Sequence, residues 1–235
     1  MCGISAVYGV EAPLKALLLN MNMPERGIYG SGVAFVEKGR IRVVKEPIHP
    51  TLLYMKRFNE LKGRSYVAIG HNRMPSVGSV CYENTHPFTD CRRKFALVHN
   101  GHIFKLGGNL MLKYELLRKG HKIMGQTDSE LLTHVIEELL VEYGNMLEVL
   151  AIVGAEYLGG NICVLTKSGK LYCVKSVNYP LHYAIVDRQV LVASTSKAIK
   201  RVLNMFGYND AEIYEVEDNT ILEIKQGEVT EYAYE

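Results

Sequence analysis

Met1-Cys2-Gly3-Ile4-Ser5-Ala6-Val7-Tyr8-Gly9 opens the chain, with a thiol directly behind the initiator methionine and a short β-rich run after it. Cleavage of the Met1–Cys2 bond would put a thiol and a free α-amine on one residue. A cysteine thiol titrates near about 8.5 and an α-amine near about 7.7–8.0, so the amine is partly neutral at about pH 7. It can then take the thiol proton directly or through one water, and no separate catalytic histidine is required. The competing reading is a small buried hydrophobe opening a first strand, Gly3 to Gly9. Locally the two stand side by side.

Working outward, the first third of the chain alternates β-rich runs with helices. A helix is expected over Pro13 to Asn22, a hairpin over Gly32 to Glu37 and Arg40 to Lys45 around Lys38-Gly39, and a second helix over Thr51 to Leu61. Tyr66 to Gly70 and Phe95 to His99 are continuous apolar runs, as strands buried on both faces are. They deliver His71-Asn72-Arg73 and His99-Asn100-Gly101 to what read as loops, where sites tend to form. Helices over Asn109 to Lys119, Ser129 to Tyr143 and Met146 to Leu158 come next. Then come strands Asn161 to Thr166, Lys170 to Lys175, His182 to Asp187 and Val190 to Ser194. A helix over Ser196 to Phe206 and a last hairpin, Thr220 to Ile224 with Glu228 to Tyr234, complete the pattern. Two groups of antiparallel strands separated by helix pairs imply an α+β sandwich, because each apolar sheet face needs a covering layer.

The composition fits one folded domain spanning 1–235. Of the 235 residues, 48% are hydrophobic and 22% charged, enough apolar side chains for a sizeable core, and no Pro, Gly or Ser-rich linker divides them. A net charge of +2, with Arg92-Arg93-Lys94 as an isolated basic triplet, gives no support for nucleic-acid binding. No apolar run approaches the roughly 20 residues of a bilayer span, and no signal-peptide pattern opens the chain, so no membrane association and a cytoplasmic location are expected. Five cysteines, an odd number, suggest reduced thiols rather than a disulfide framework. Cys81, His86 and Cys91 with His71 lack any C-x-x-C spacing, so neither a metal nor another cofactor is expected. Cys163 and Cys173 read as strand residues.

Several polar residues have both a chemical and a structural reading. Arg73 presents planar donors that could clamp a carboxylate bidentately, or could bridge loop carbonyls. Ser76, Gly78 and Ser79 follow in a segment able to fold over a ligand. Asn100-Gly101 offers a side-chain amide and an open backbone N–H, the two donors of an oxyanion hole, but Asn-Gly is also the commonest tight-turn dipeptide. Thr127-Asp128-Ser129-Glu130 fits a capping box, in which Asp128 merely favours the positive helix end. Alternatively, Asp128 points its carboxylate at a substrate ammonium, opposite the Arg73 clamp. His71, His86 and His99 flank the same segments, but spacing alone does not pair any of them with a cysteine.

Taken in order, Met1-Cys2-Gly3-Ile4, Arg26-Gly27 leading to Gly32, Gly70-His71-Asn72-Arg73, Asn84-Thr85-His86-Pro87-Phe88, His99-Asn100-Gly101 and Thr127-Asp128-Ser129-Glu130 resemble the class II glutamine amidotransferase domain of the N-terminal nucleophile hydrolases. The resemblance runs through nearly the whole chain and is somewhat nearer to the purine-pathway amidophosphoribosyltransferase domain. It implies a four-layer αββα sandwich and hydrolysis of the side-chain amide of L-glutamine through a glutamyl thioester on Cys2. Carried over, Arg73 binds the glutamine α-carboxylate, Asp128 its α-ammonium, and Asn100 with Gly101 the oxyanion, while Ser76 keeps a hydroxyl near a family position. It also implies an ammonia-accepting synthase, expected as a separately encoded subunit. Tyr29, Asn72 and Met74 depart from the family's usual aspartate, threonine or valine, and aromatic residue. An N-terminal nucleophile amidase for another linear amide and a silent glutamine-binding regulatory subunit are the competing readings.

Overall fold

A computed structural model describes residues 1–63, 65–104 and 109–235. In chain order the strands are β1 (Gly3–Tyr8), β2 (Ser31–Glu37), β3 (Arg40–Glu46), β4 (Val67–Asn72), β5 (Phe88–Thr89), β6 (Phe95–Ile103), β7 (Leu158–Thr166), β8 (Leu171–Lys175), β9 (His182–Val186), β10 (Gln189–Ala193), β11 (Tyr214–Glu215), β12 (Thr220–Lys225) and β13 (Glu228–Ala233). The helices are α1 (Ala12–Met21), α2 (Pro50–Leu61), α3 (Asn109–Arg118), α4 (Asp128–Tyr143), α5 (Met146–Glu156) and α6 (Ser196–Met205).

Two antiparallel sheets stack face to face. The first runs β11-β9-β10-β1-β4-β2-β3 and the second β13-β12-β8-β7-β6-β5. Period-two alternation along β1 explains the layering. Ile4 and Ala6 point into an apolar layer shared with Ile69, Val98, Cys163, Leu165 and Leu222, which lies between the sheets. Val7 points the other way, into a core with Ala16 and Leu17 of α1, Leu53 of α2 and Ile199 of α6. Ser5, on that same outer face, bonds Asn20 Oδ1 of α1 at 3.0 Å. The second sheet buries its outer face against α4 and α5 through Leu97, Leu132, Ile136, Leu150 and Ile162, and α3 packs on α4. The result is the expected α+β, four-layer αββα sandwich.

Local chemistry sets the element ends. Pro50 opens α2 behind His49, whose ring accepts from the Thr51 N–H, and Thr127, Asn145 and Thr195 cap α4, α5 and α6 with side-chain oxygens. The capping box at α4 is only half made. Thr127 Oγ1 accepts from Glu130 N at 3.4 Å, but the buried Glu130 carboxylate turns to the preceding segment and accepts from Met124 N at 2.9 Å and Gly125 N at 2.6 Å. That carboxylate therefore fixes the approach to the helix.

Two expectations are corrected. His71-Asn72 and His99-Asn100-Gly101 lie in strands, because β4 runs on beside β1, pairing Gly3 with Asn72, and β6 runs on beside β7, pairing Asn100 with Asn161 and Gly101 with Gly160. Asn100-Gly101 is thus no turn. A Cβ on Gly101 would lie 2.3 Å from Gly159 O and 2.7 Å from Gly160 Cα, so glycine is needed there for strand approach. The two-residue strands β5 and β11 have no counterpart in the sequence reading, being too short for any periodicity.

Candidate active site

The antiparallel pairing of β1 with β4 brings the start of one strand beside the end of the other. Cys2, just before β1, therefore lies against the residues just after β4. The Met74 N–H donates to Cys2 Sγ at 3.3 Å, and the thiol is 3.5 Å from Met74 O. Burial pushes the Cys2 thiol up; the Met74 hydrogen bond, the Met1 ammonium and the Arg73 guanidinium pull it down, and the Asp128 carboxylate raises it again. The charges of Arg73 and Asp128 thus both reach the sulfur. Met1 itself is 64% exposed, with its Sδ 3.4 Å from Arg26 Nη1.

Arg73 is 3% exposed. Its Nη1 donates to Ser79 O at 2.7 Å and its Nη2 to Val77 O at 2.7 Å and Gly78 O at 3.3 Å. The guanidinium therefore organises the segment that carries Ser76, which is exposed. Of the two readings of Arg73, the bridging of loop carbonyls is present in this structure. Backbone contacts from Tyr29 N to Arg73 O at 3.1 Å and from Arg73 N to Gly30 O at 2.8 Å hold the arginine from the other side. Gly27 belongs to the same clamp: its φ is 110°, and a Cβ there would lie 2.5 Å from the Arg73 carbonyl carbon.

The second sheet contributes from across the interface. His71 Nε2 lies 3.0 Å from His99 O, tying β4 to β6 just before Asn100. Asn100 is 2% exposed, and its Nδ2 has no hydrogen-bond partner among the described residues. Leaving a buried donor unpaired costs about 1–3 kcal/mol, so this amide is available to a hydrogen-bond acceptor that reaches it. His99 Nδ1 is 3.0 Å from Ser129 Oγ, which in turn donates to Asp128 Oδ1 at 3.4 Å. Half-buried Asp128 thus stands at the N-terminus of α4, connected to the strand that carries Asn100.

Three buried histidines lie behind these groups. His71 and His86 stack with ring centroids 3.8 Å apart. Burial holds His71 down at about 3 and His99 at about 4, and it takes His86 well below the usual range, so all three are neutral. They therefore add no positive charge behind the thiol near pH 7. Lys45 explains the Thr85-His86-Pro87-Phe88 motif: its ammonium donates to Thr85 O and to Pro87 O at 3.2 Å and lies 4.9 Å from the Phe88 ring centroid. Burial lowers it to about 8. Neither Lys45 nor the Met74 backbone was singled out from the sequence, since neither carries a motif of its own, and Ser129 was read only as a member of the Thr127-Asp128-Ser129-Glu130 motif, without its contact to His99. Asn72, a departure from the family pattern, is structural: its Nδ2 donates to Asn20 O at 2.6 Å.

This arrangement is an αββα sandwich with a thiol at the head of a central strand, the architecture of an N-terminal nucleophile hydrolase. A family profile described as "Glutamine amidotransferases class-II" matches residues 20–219, and the chain belongs to that family. Glutamine–fructose-6-phosphate aminotransferase (isomerizing) of Aeropyrum pernix is 32% identical over 204 residues, covering 85% of this chain and 33% of its own. The enzyme of the same name from Thermococcus kodakarensis is 31% identical over 245 residues, 98% of this chain and 39% of that one. The chain thus spans about a third to two fifths of the length of these relatives. Among solved structures, the glutamine phosphoribosylpyrophosphate amidotransferase of B. subtilis superposes with a TM-score of 0.80 at 22% identity, over 100% of this chain and 49% of that chain. A glutamine aminotransferase class-II domain protein from Silicibacter pomeroyi gives 0.65 at 14% identity, over 99% and 98%. Among the described residues, no helix is long and apolar enough to cross a membrane.

Proposed function

We propose that the chain hydrolyses the side-chain amide of L-glutamine to glutamate and ammonia through a thioester on Cys2, and supplies the ammonia to a synthase partner. The observation that carries this is the Cys2 thiol held by the Met74 backbone directly beside Arg73. Removal of the exposed Met1 frees the Cys2 α-amine, which takes the thiol proton. The sulfur attacks the amide carbon and the oxygen becomes an oxyanion, stabilised by Asn100 Nδ2–H and the Gly101 N–H. The proton passes to the leaving nitrogen, the C–N bond breaks and ammonia departs, leaving a glutamyl thioester. Water then adds to the thioester carbon, releasing glutamate and restoring the thiol.

Glutamine is selected by its two α-substituents: Arg73 takes the carboxylate, Asp128 the ammonium, and Ser76 closes over the ligand. Another linear amide has no use for both charges. The Arg73 contacts to Val77, Gly78 and Ser79 support a coupled step in which glutamine binding exchanges some of these carbonyls for a carboxylate and re-sets the segment. The aminotransferase and amidotransferase relatives are named for phosphorylated-sugar acceptors, which favours an acceptor of that class on the synthase partner.

Incubation of the processed protein with glutamine is expected to give equal amounts of glutamate and ammonia, with Cys2→Ala reducing both to background; undiminished release from that variant would exclude the mechanism. Co-purification from native extract should retain a synthase. Recovery of free chain alone, with a glutaminase rate that extract does not change, would count against the partner.

A further inference from the structure

Away from Cys2, four side chains of metal-ligand type converge on the outer side of the second sheet. Cys91 follows β5, His121 precedes α4, and His134 and Glu137 lie one turn apart on α4. One ligand atom from each lies within 4.8 Å of all the others. Cys91 Sγ is 3.6 Å from His121 Nδ1 and 3.7 Å from His134 Nδ1, and Glu137 Oε2 is 3.1 Å and 3.0 Å from the same two nitrogens.

Those distances can be compared with what an ion would impose. Tetrahedral Zn²⁺, with bonds of about 2.3 Å to sulfur and about 2.0–2.1 Å to nitrogen, holds sulfur and nitrogen ligands about 3.5 Å apart. Both sulfur–nitrogen edges already have nearly that length. The nitrogen–oxygen edges, about 3.4 Å around such an ion, would open by only a few tenths of an ångström.

The geometry points to a structural Zn²⁺-type site formed by Cys91, His121, His134 and Glu137, which staples the loop after β5 and the loop before α4 onto helix α4. The surroundings match. His121 Nε2 is 2.9 Å from Glu138 Oε1, and Glu138 is held in turn by Lys119. A carboxylate on the far ring nitrogen is the usual way a metal-binding imidazole is oriented, leaving the near nitrogen's lone pair aimed at the ion. Without a cation or an extra proton, that lone pair would face the Glu137 carboxylate. Both rings are buried, His134 at 2% and His121 at 9% exposure, while Cys91 opens onto a cleft also lined by His121, Glu137 and Glu138, which provides an entry path. One thiolate, two imidazoles and one carboxylate suit Zn²⁺ or Co²⁺ better than Mg²⁺ or Ca²⁺.

The test is titration of chelator-stripped full chain with Co²⁺, then Zn²⁺, under reducing conditions. One Co²⁺ per chain is expected, with tetrahedral absorption and a thiolate-to-cobalt charge-transfer band, displaced by one equivalent of Zn²⁺. Cys2→Ala should keep the band, separating this site from the active-site thiol. Cys91→Ser, at an exposed position that leaves the packing intact, should abolish it, and Glu138→Gln should weaken binding about 10- to 100-fold. A band that survives in Cys91→Ser would overturn the proposal. So would the absence of stoichiometric Co²⁺ binding together with NMR signals of doubly protonated His121 and His134 near neutral pH, which would mark the cluster as a proton-linked histidine–carboxylate pair.

Discussion

At the residue scale, the site is defined less by which groups are present than by which are left unpaired. Asn100 Nδ2 is a buried donor with no partner among the described residues, set in a strand rather than a turn. Asn100→Ala should therefore lower kcat about 10²- to 10³-fold with little change in KM, as loss of one oxyanion donor does; steady-state kinetics on glutamine reads both constants. Arg73 is the opposite case, with both terminal guanidinium nitrogens already bonded to Val77, Gly78 and Ser79. Arg73→Lys keeps the charge but not the planar fork, so KM should rise at least about tenfold, with the 77–79 segment becoming more protease-sensitive. Unchanged KM would show that Arg73 only organises the segment. Both residues were visible in the sequence as motif members. Their present partners were not, because carbonyl contacts leave no mark on side-chain patterns.

At the element scale, α4 carries much of the design. Its N-terminus presents Asp128, and its approach is fixed by Glu130 accepting from Met124 and Gly125. Charge-assisted hydrogen bonds contribute about 1.5–3 kcal/mol each, so Glu130→Gln is expected to destabilise by about 1–3 kcal/mol in denaturant titration and to raise KM for glutamine by displacing Asp128. The sequence announced this helix through Leu131, Leu132, Val135 and Ile136, and the Thr127 cap formed as read. The reciprocal Glu130 contact did not, since the loop before the helix supplied better-placed N–H groups. Likewise, Asn100-Gly101 reads locally as a turn. Only the facing Gly159-Gly160 of β7, distant in sequence, makes a strand of it. Gly101→Ala forces a Cβ against Gly159 O and should reduce both stability and oxyanion stabilisation, visible as a lower melting temperature and a lower kcat.

At the scale of the whole molecule, the sandwich stacks two sheets over a polar seam of neutral histidines. His71 and His99 are held by burial at about 3 and about 4, against about 6.5 when unfolded. The unfolded chain therefore binds more protons between those values, and stability is lost as pH falls from about 6.5 toward about 4 and 3. The slope is at most about 1.4 kcal/mol per pH unit for each histidine. Denaturant midpoints measured from pH 7 to pH 4 should fall accordingly, and the fall should be shallower in His99→Gln. The four layers were legible because hydrophobic period and turn residues mark each strand and helix. The convergence of Cys91, His121, His134 and Glu137 was not, because its members come from three separate segments. All of the proposed chemistry depends on Cys2, freed of Met1, acting as the nucleophile. Intact-protein and peptide mass spectrometry after treatment with diazo-oxo-norleucine reads that role at the residue itself. One adduct per chain is expected, on an N-terminal peptide that begins at Cys2, with glutaminase activity lost in step; a protein that hydrolyses glutamine while Met1 remains attached and Cys2 stays unmodified would rule out that role for Cys2.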